Sequence, residues 1–510
     1  IYSVFALLLR AIGFSSPVPR SLAKGSVVPR VRIERFLEKR VCEPGPRYVW
    51  GGLEVPASCL APHSLLSGSP GSGKSMCMLM LEKSALVPNG ELLDHAVHFD
   101  PKQNAVPELV GMGVPLEKLR ILNPFDARSR PVNLAADFTT ESQARQLASL
   151  LVPKEKNSSQ PFFTTAVQDL FAQVVVAFQY QKPKSWTLAE VLQSLRSAKT
   201  LREHLKHTGG GRDALAAYLS EPKLESHVMA TVRSKMQVFE TVAALWANSS
   251  NAPITLSEWV HAREPSVLVF GHDPVHDAVV GPINRALFLR LSQLLLGRPE
   301  ATVTRPCWVF ADELRLFGRL EGLQPLLFAG RSYQVRTALA FQDFEGLSSV
   351  WGPSEAGELI GQCGNVATFR LWNPATMELA SRFYGDRIEW VMGHGTSTDS
   401  RGQTSSSENW SQQVRRLFLP SYFRNLPPPS PATGIPGVFT TPGLPVWSDP
   451  IPPDVVSKFL PSPAADVPGF VPRPPDDQSL GGTTPPPSAP PPRPPQRGFR
   501  TMDGHDLLDS

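Results

Sequence analysis

Cysteine is scarce: Cys42, Cys59, Cys77, Cys307 and Cys363 are the only five in 510 residues, far apart and with no C-x-x-C pair. The odd total and wide spacing argue against zinc sites and a disulfide framework, and a reducing compartment is the natural reading. An excess of charge of one sign is also lacking. Lys+Arg 50 against Asp+Glu 46 leaves a formal net charge of +4. That balance neither demands nor excludes a polyanionic partner, because a local patch matters more than the sum. Long hydrophobic runs are missing too. Tyr2-Ser-Val-Phe-Ala-Leu-Leu-Leu9 is apolar, but Arg10 breaks it and Pro17 follows. It is too short to span a bilayer, and no other run approaches the length needed. With Ile1 rather than Met at the start, two readings stay open: a buried N-terminal helix, or the trailing end of a transmembrane helix. No internal repeat is present. The pairs His272-Asp273 and His276-Asp277 resemble a metal cluster only faintly, and in a turn after a strand-like run they read as a solvated loop.

Proline, by contrast, is abundant: 52 residues, about double the usual share. The hydrophobic fraction of 41% is near normal, and the length leaves room for two or three domains. Residues 11–50 carry a basic scatter without clear hydrophobic period, and 1–50 read as a juxtamembrane or linker segment. From 51 to 138, strand-like runs such as Ala96-Val-His-Phe99 and Leu119-Arg-Ile-Leu122 alternate with helical stretches. This rhythm predicts an α/β fold with a mostly parallel sheet. From 139 to 250 the period turns helical, as in Phe163 to Val176, and Thr187 is placed to cap a helix with Glu190. Gly209-Gly-Gly211 reads as a break between helices. The strand rhythm returns at Ser266-Val-Leu-Val-Phe270 and runs to about 425. The segment Gly393 to Gln413, rich in Gly, Ser, Thr and Gln, reads as mobile. Residues 426–510, with Pro427-Pro-Pro429, Pro485-Pro-Pro487 and Pro490-Pro-Pro-Arg-Pro-Pro495, read as a largely disordered tail of polyproline II character.

The chemistry concentrates in Gly68-Ser-Pro-Gly-Ser-Gly-Lys-Ser75, which fits G-x-x-x-x-G-K-[ST] in full. It is entered from a strand-like run and left through a helical one beginning at Met76. Gly68, Gly71 and Gly73 let the backbone turn so that successive N–H groups, with Ser69, Pro70 and Ser72 between them, wrap the β- and γ-phosphates of a nucleoside triphosphate. Lys74 supplies a point charge at a helix N-terminus, and the Ser75 hydroxyl is placed to ligate Mg2+. A second acidic element is then needed. The apolar strand Trp308-Val-Phe-Ala311 ends in Asp312-Glu313, with Asp312 suited to the metal and Glu313 to the attacking water. Gln342, at the end of the strand Val335–Phe341, is a candidate γ-phosphate sensor. Arg331 is a candidate arginine finger on a neighbouring subunit's nucleotide. Each of these two residues alone would carry little weight.

The ordered set resembles the type IV coupling proteins, the TraD/TraG-like motor ATPases of conjugation and type IV secretion. It comprises Gly68–Ser75, His98-Phe-Asp-Pro-Lys102, Leu122-Asn-Pro-Phe125, Phe162–Leu170, Leu256-Ser-Glu-Trp-Val260, Asp312-Glu313, Ala329-Gly-Arg-Ser-Tyr333, Ala340-Phe-Gln342 and Asn365-Val-Ala-Thr-Phe-Arg370. The resemblance covers about residues 51–425. It implies a RecA-like core (51–138 and 251–425) with an all-α domain inserted at 139–250. It also implies a ring, commonly a hexamer, with ATP and Mg2+ between subunits, Arg331 as the trans-acting finger and Gln342 as sensor. The implied partners are DNA, single- or double-stranded, and relaxase or secretion-channel proteins. The implied place is the cytoplasmic face of the bacterial inner membrane, although the family's N-terminal anchor is not visible here. Pro70 is a departure from the commoner loop form, tolerable at an apex because its missing N–H need not be used there. Two other readings stay open: a nucleotide-gated receptor or scaffold for secretion substrates, and an FtsK/HerA-type DNA pump.

Overall fold

A computed structural model describes residues 27–38, 45–154, 161–300, 303, 305–398, 402 and 404–474. The apolar run Tyr2–Leu9 and the prolines beyond 474 lie outside them. A short ribbon, β1 (Arg47–Trp50) and β2 (Leu53–Pro56), precedes the main sheet. The main sheet is built from β3 (His63–Ser67), β4 (His95–Asp100), β5 (Leu119–Ile121), β6 (Val267–Gly271), β7 (Cys307–Ala311), β8 (Val335–Phe341) and β9 (Cys363–Thr368). Their order is β9-β3-β8-β7-β4-β6-β5, and every neighbouring pair is parallel. Every residue of β3, β6, β7 and β8 is buried. Near-continuous apolar runs of this kind suit strands covered on both faces. One face packs against helices that include Glu141–Leu151, Pro161–Gln181 and Asp277–Leu296. The other packs against the helix Lys74–Leu86 that follows the glycine-rich loop.

Between Glu141 and Ala247 every long element is a helix. Two of these helices open on capping boxes, Thr140 with Gln143 and Thr187 with Glu190. Each pairs two backbone donors that a bare helix end would leave orphaned. The chain enters and leaves this block through an isolated bridge between Val132 and Ile254. Gly209–Gly211 does not separate helices. It forms the first turn of the helix Gly209–Tyr218, with the Thr208 hydroxyl accepting from the Gly211 N–H. The glycines allow close packing, since a Cβ at Gly210 would lie 2.7 Å from the Gln173 side chain. Among the described residues, Pro161–Gln181 is long and apolar enough to cross a membrane, but two thirds of its most apolar window (67%) is buried inside the protein. It is a core helix.

Three further sequence expectations need correction. Residues 393–413 belong to a long antiparallel hairpin, β10 (Asp386–Thr398) with β11 (Thr404–Arg416), in which Ile388 faces Val414 and Met392 faces Trp410. Alternation and the β-branched threonines favour strand here over a loose loop. Residues 27–38, read as linker, hold the helix Arg30–Glu38, whose Ile33 and Leu37 are buried. Its Arg30 N–H donates to Asp449.

The third correction concerns the tail. From 426 to 474 the chain is ordered rather than disordered. Strand β12 (Val438–Thr440) adds antiparallel to β9 and completes an eight-stranded sheet. Ile435, Phe439, Trp447 and Ile451 are buried in the core that contains the glycine-loop helix. The segment then crosses to the far edge, where Ala127 N–H donates to Val471 O and Arg473 bonds Ser129. Prolines exclude a helix from most of this path but allow an extended strap, anchored by a few buried apolar side chains.

Candidate nucleotide site

The strands β3, β7 and β8 end side by side, and the loops leaving them converge. Gly68 N–H donates to Phe341 O at the end of β8, and Ser69 N–H donates to Arg370 O beyond β9. The Ser69 hydroxyl accepts from Trp372 N–H at 3.0 Å. The loop is thus fixed on both sides, with only Pro70 and Gly71 exposed at its apex. Gly71 and Gly73 adopt left-handed φ of 69° and 97°, which a residue with a Cβ rarely holds. No side chain caps the helix that opens at Lys74. Its first-turn N–H groups are therefore available to an anion, with the positive helix end behind them.

Lys74 and Asp312, far apart in sequence, meet here. Lys74 Nζ donates to Asp312 Oδ1 at 2.8 Å and to its backbone carbonyl at 2.6 Å. Ser75 Oγ donates to Asp312 Oδ2 at 2.6 Å. Burial alone would raise the Asp312 pKa, but the Lys74 charge and the bonds from Lys74 and Ser75 hold it below the usual carboxylate range. Asp312 therefore stays ionised. A carboxylate and a hydroxyl oxygen so close together are hard oxygen donors of the kind Mg2+ takes beside phosphates. The residues fit that ion.

Glu313, buried, points the same way. Its Oε2 accepts from Gln342 Nε2 at 2.7 Å and lies 3.9 Å from Lys74 Nζ. Its Oε1 is buried without a partner. Burial pushes the Glu313 pKa up, with Lys74 opposing. A carboxylate with a free, desolvated oxygen and a raised pKa suits proton acceptance from water. Met76 is half-buried in the first helical turn, behind the loop.

Arg331 is not brought to this cluster. It is exposed in the short 3-10 turn Gly330–Tyr333, just before β8, and its charge reaches His63 at the start of β3. Gln342 follows the other end of the seven-residue β8, so the two lie roughly 23 Å apart at ~3.3 Å per residue. Arg331 cannot serve its own chain's site. The His272–Asp277 stretch is an ordered turn, with His276 stacked on Phe125 at 3.7 Å and Asp273 buried. Among the described residues no cluster of three or more His, Cys, Asp or Glu could hold a metal.

Two features escaped sequence reasoning. Lys102 Nζ lies 3.7 Å from Asp312 Oδ2, a second cation beside the carboxylate. The Asp-Pro-Lys motif was visible, but not what it faces. The strap also reaches the loop: a Cβ on Gly73 would lie 2.4 Å from Ile435 and 3.0 Å from Pro429. Apolar residues among the prolines were the available signal.

A family model for the DNA-binding domain of type IV secretion-system coupling proteins matches residues 47–441. No curated protein sequence matches the chain. Among solved structures, the unbound bacterial conjugative coupling protein TrwB lacking its N-terminal segment aligns with a TM-score of 0.66 at 18% identity, over 87% of this chain and 94% of that one. TrwB in complex with a non-hydrolysable ATP analogue aligns with a TM-score of 0.65 at 18% identity, over 88% and 96%. TrwB with ADP and Mg2+ gives 0.64 at 18% identity, over 87% and 95%. At that identity the likeness speaks for the fold, whereas the family match spans most of the sequence. The chain belongs to the type IV secretion-system coupling proteins.

Proposed function

We propose that this protein is the ATP-hydrolysing motor of a conjugation or type IV secretion system. In this reading it recruits DNA, free or linked to protein such as a relaxase, and moves it through the pore of a ring, commonly a hexamer, at the inner membrane. The observation that carries the proposal is the convergence of Lys74, Ser75, Asp312, Glu313 and Gln342 at the ends of three parallel strands. Family membership and the TrwB complexes with nucleotides support it.

On this reading the loop 68–75 cradles the phosphates, and Lys74 exchanges its bond to Asp312 for phosphate oxygens. Ser75 and Asp312 hold Mg2+, which when bound neutralises charge on the phosphates. Glu313 accepts the proton of the attacking water through its free oxygen, while Gln342 fixes the other. Arg331 of a neighbouring copy approaches the γ-phosphate from outside. The helical block 139–250 and the core 51–138 with 251–425 act as separate domains, the former receiving cargo.

The test is the steady-state ATPase rate with and without single-stranded DNA. DNA should raise the rate, and Lys74→Ala should abolish both basal and stimulated turnover. A rate indifferent to DNA contradicts the motor, and unchanged turnover in Lys74→Ala contradicts the site.

A further inference from the structure

At the sheet edge opposite the nucleotide loop, the starts of β4, β6 and β7 enclose a cavity of about 520 Å³. That is within the size range of small-ligand sites. Its rim carries Arg263, Arg298 and Arg305, with His95 in its wall. The half-buried Arg298 guanidinium donates to the carbonyls of Leu295 and Tyr333 at 3.2 and 2.6 Å. That of Arg305 donates to Leu93 O at 3.1 Å. Neutral carbonyls orient these groups without cancelling their charge. Among the described residues, no carboxylate lies within ion-pair distance of any of the three arginines. Glu264 follows Arg263 and Asp94 precedes His95 in the sequence. Glu264 is 2.7 Å from Lys118. Asp94 is buried, and burial raises its pKa to about 6 against the pull of Arg305 and Arg336. Burial lowers the His95 pKa, its bonds to the Ala262 and Ser266 backbone oppose this, and Arg298 and Arg305 add to the lowering. His95 Nε2 donates to Ala262 O at 2.9 Å while Nδ1 accepts from the Ser266 N–H at 3.3 Å, a pattern that suits the neutral ring and makes it wall rather than ligand.

The geometry points to a phosphate-ester binding site in this cavity, separate from the nucleotide loop and gripping a phosphate with Arg263, Arg298 and Arg305. The guanidinium forks of Arg298 and Arg305, held by carbonyls, match phosphate oxygens, so these two lose little side-chain freedom on binding. The bound group is either a small phosphate compound or a backbone phosphate of a nucleic-acid strand. The two sources share the same chemistry. This inference does not depend on hydrolysis at Lys74.

The experiment uses the full chain with its nucleotide loop filled by a non-hydrolysable ATP analogue and Mg2+. Inorganic pyrophosphate is titrated by calorimetry, and a fluorescent ten-nucleotide single strand by anisotropy. The double variant Arg263→Glu, Arg305→Glu should weaken one of the probes at least tenfold, with binding of the ATP analogue unchanged. Loss confined to pyrophosphate identifies a small-anion site. Loss for the strand identifies a backbone contact, and its log–log salt dependence should flatten by about 0.7, the value for one phosphate of a single strand. Should the double variant fold poorly, Arg263→Ala, at an exposed residue, gives a smaller loss in the same direction. If neither probe binds more weakly to the variants, the inference is wrong.

Discussion

Lys74, Ser75 and Glu313 all depend on the tip of β7, and each makes a separable contribution. Lys74→Ala removes the cation that holds Asp312, whereas Glu313→Gln keeps shape and most hydrogen bonding but removes the proton acceptor. We expect Glu313→Gln to lower turnover by about 10²–10⁴ while leaving nucleotide affinity within a few-fold, measured by single-turnover hydrolysis and direct binding. Gly73 is a different kind of position. Its φ of +97°, and the mere 2.4 Å that would separate a Cβ there from Ile435, leave no room for a side chain. Gly73→Ala should weaken nucleotide binding and lower the melting temperature, and a variant with wild-type affinity and melting would contradict the contact between loop and strap.

Beneath the loop helix, His98 Nδ1 lies 2.8 Å from Glu82 Oε1, both buried. Burial by itself would lower the His98 pKa, but the charge and hydrogen bond of Glu82 prevail and raise it to about 9. A folded-state pKa above the unfolded value of about 6.5 stabilises the protein fully below that value, and the gain is lost as pH rises through 9. The melting temperature should therefore fall between pH 6.5 and 9, and His98→Gln should remove most of that slope. The opposite slope would contradict a charged pair.

Among the elements, the parallel strands were legible where their apolar runs are continuous, as in Val267–Gly271 and Cys307–Ala311, and the helical block because its period is 3.6 and Thr187 with Glu190 marks a start. The strap was not legible. Its buried side chains, Ile435, Phe439, Trp447 and Ile451, are isolated among prolines and show no period. Their partners are distant in sequence: Trp447 Nε1 donates to Gly51 O, 396 positions away. Local composition pointed to a disordered tail, and long-range packing overrode it. The role of Lys102 was hidden for the same reason, since the carboxylate it faces comes 210 positions later in the sequence (312 − 102). Trp447 is fully buried, so Trp447→Ala should cost about 3–5 kcal/mol, read by denaturant unfolding. A cost near zero would mean that the strap is not part of the folded core.

For the whole molecule, the placement of Arg331 matters most. One chain carries the phosphate loop, the acidic strand tip and Gln342 at the C-terminal ends of the central strands, and carries Arg331 at the N-terminal end of β8. Under the proposed function, with Arg331 as a finger, a complete site requires two copies, which makes assembly a condition of turnover. Arg331→Ala should lower the rate by about 10³–10⁵ if the residue acts as a finger, without weakening nucleotide binding to a single chain. The most direct measurement mixes two inactive proteins, Lys74→Ala, which keeps its finger, and Arg331→Ala, which keeps its phosphate site. ATP hydrolysis in the presence of DNA should reappear on mixing and peak at an intermediate ratio. Mixtures no more active than either variant alone would contradict a site shared between neighbouring chains.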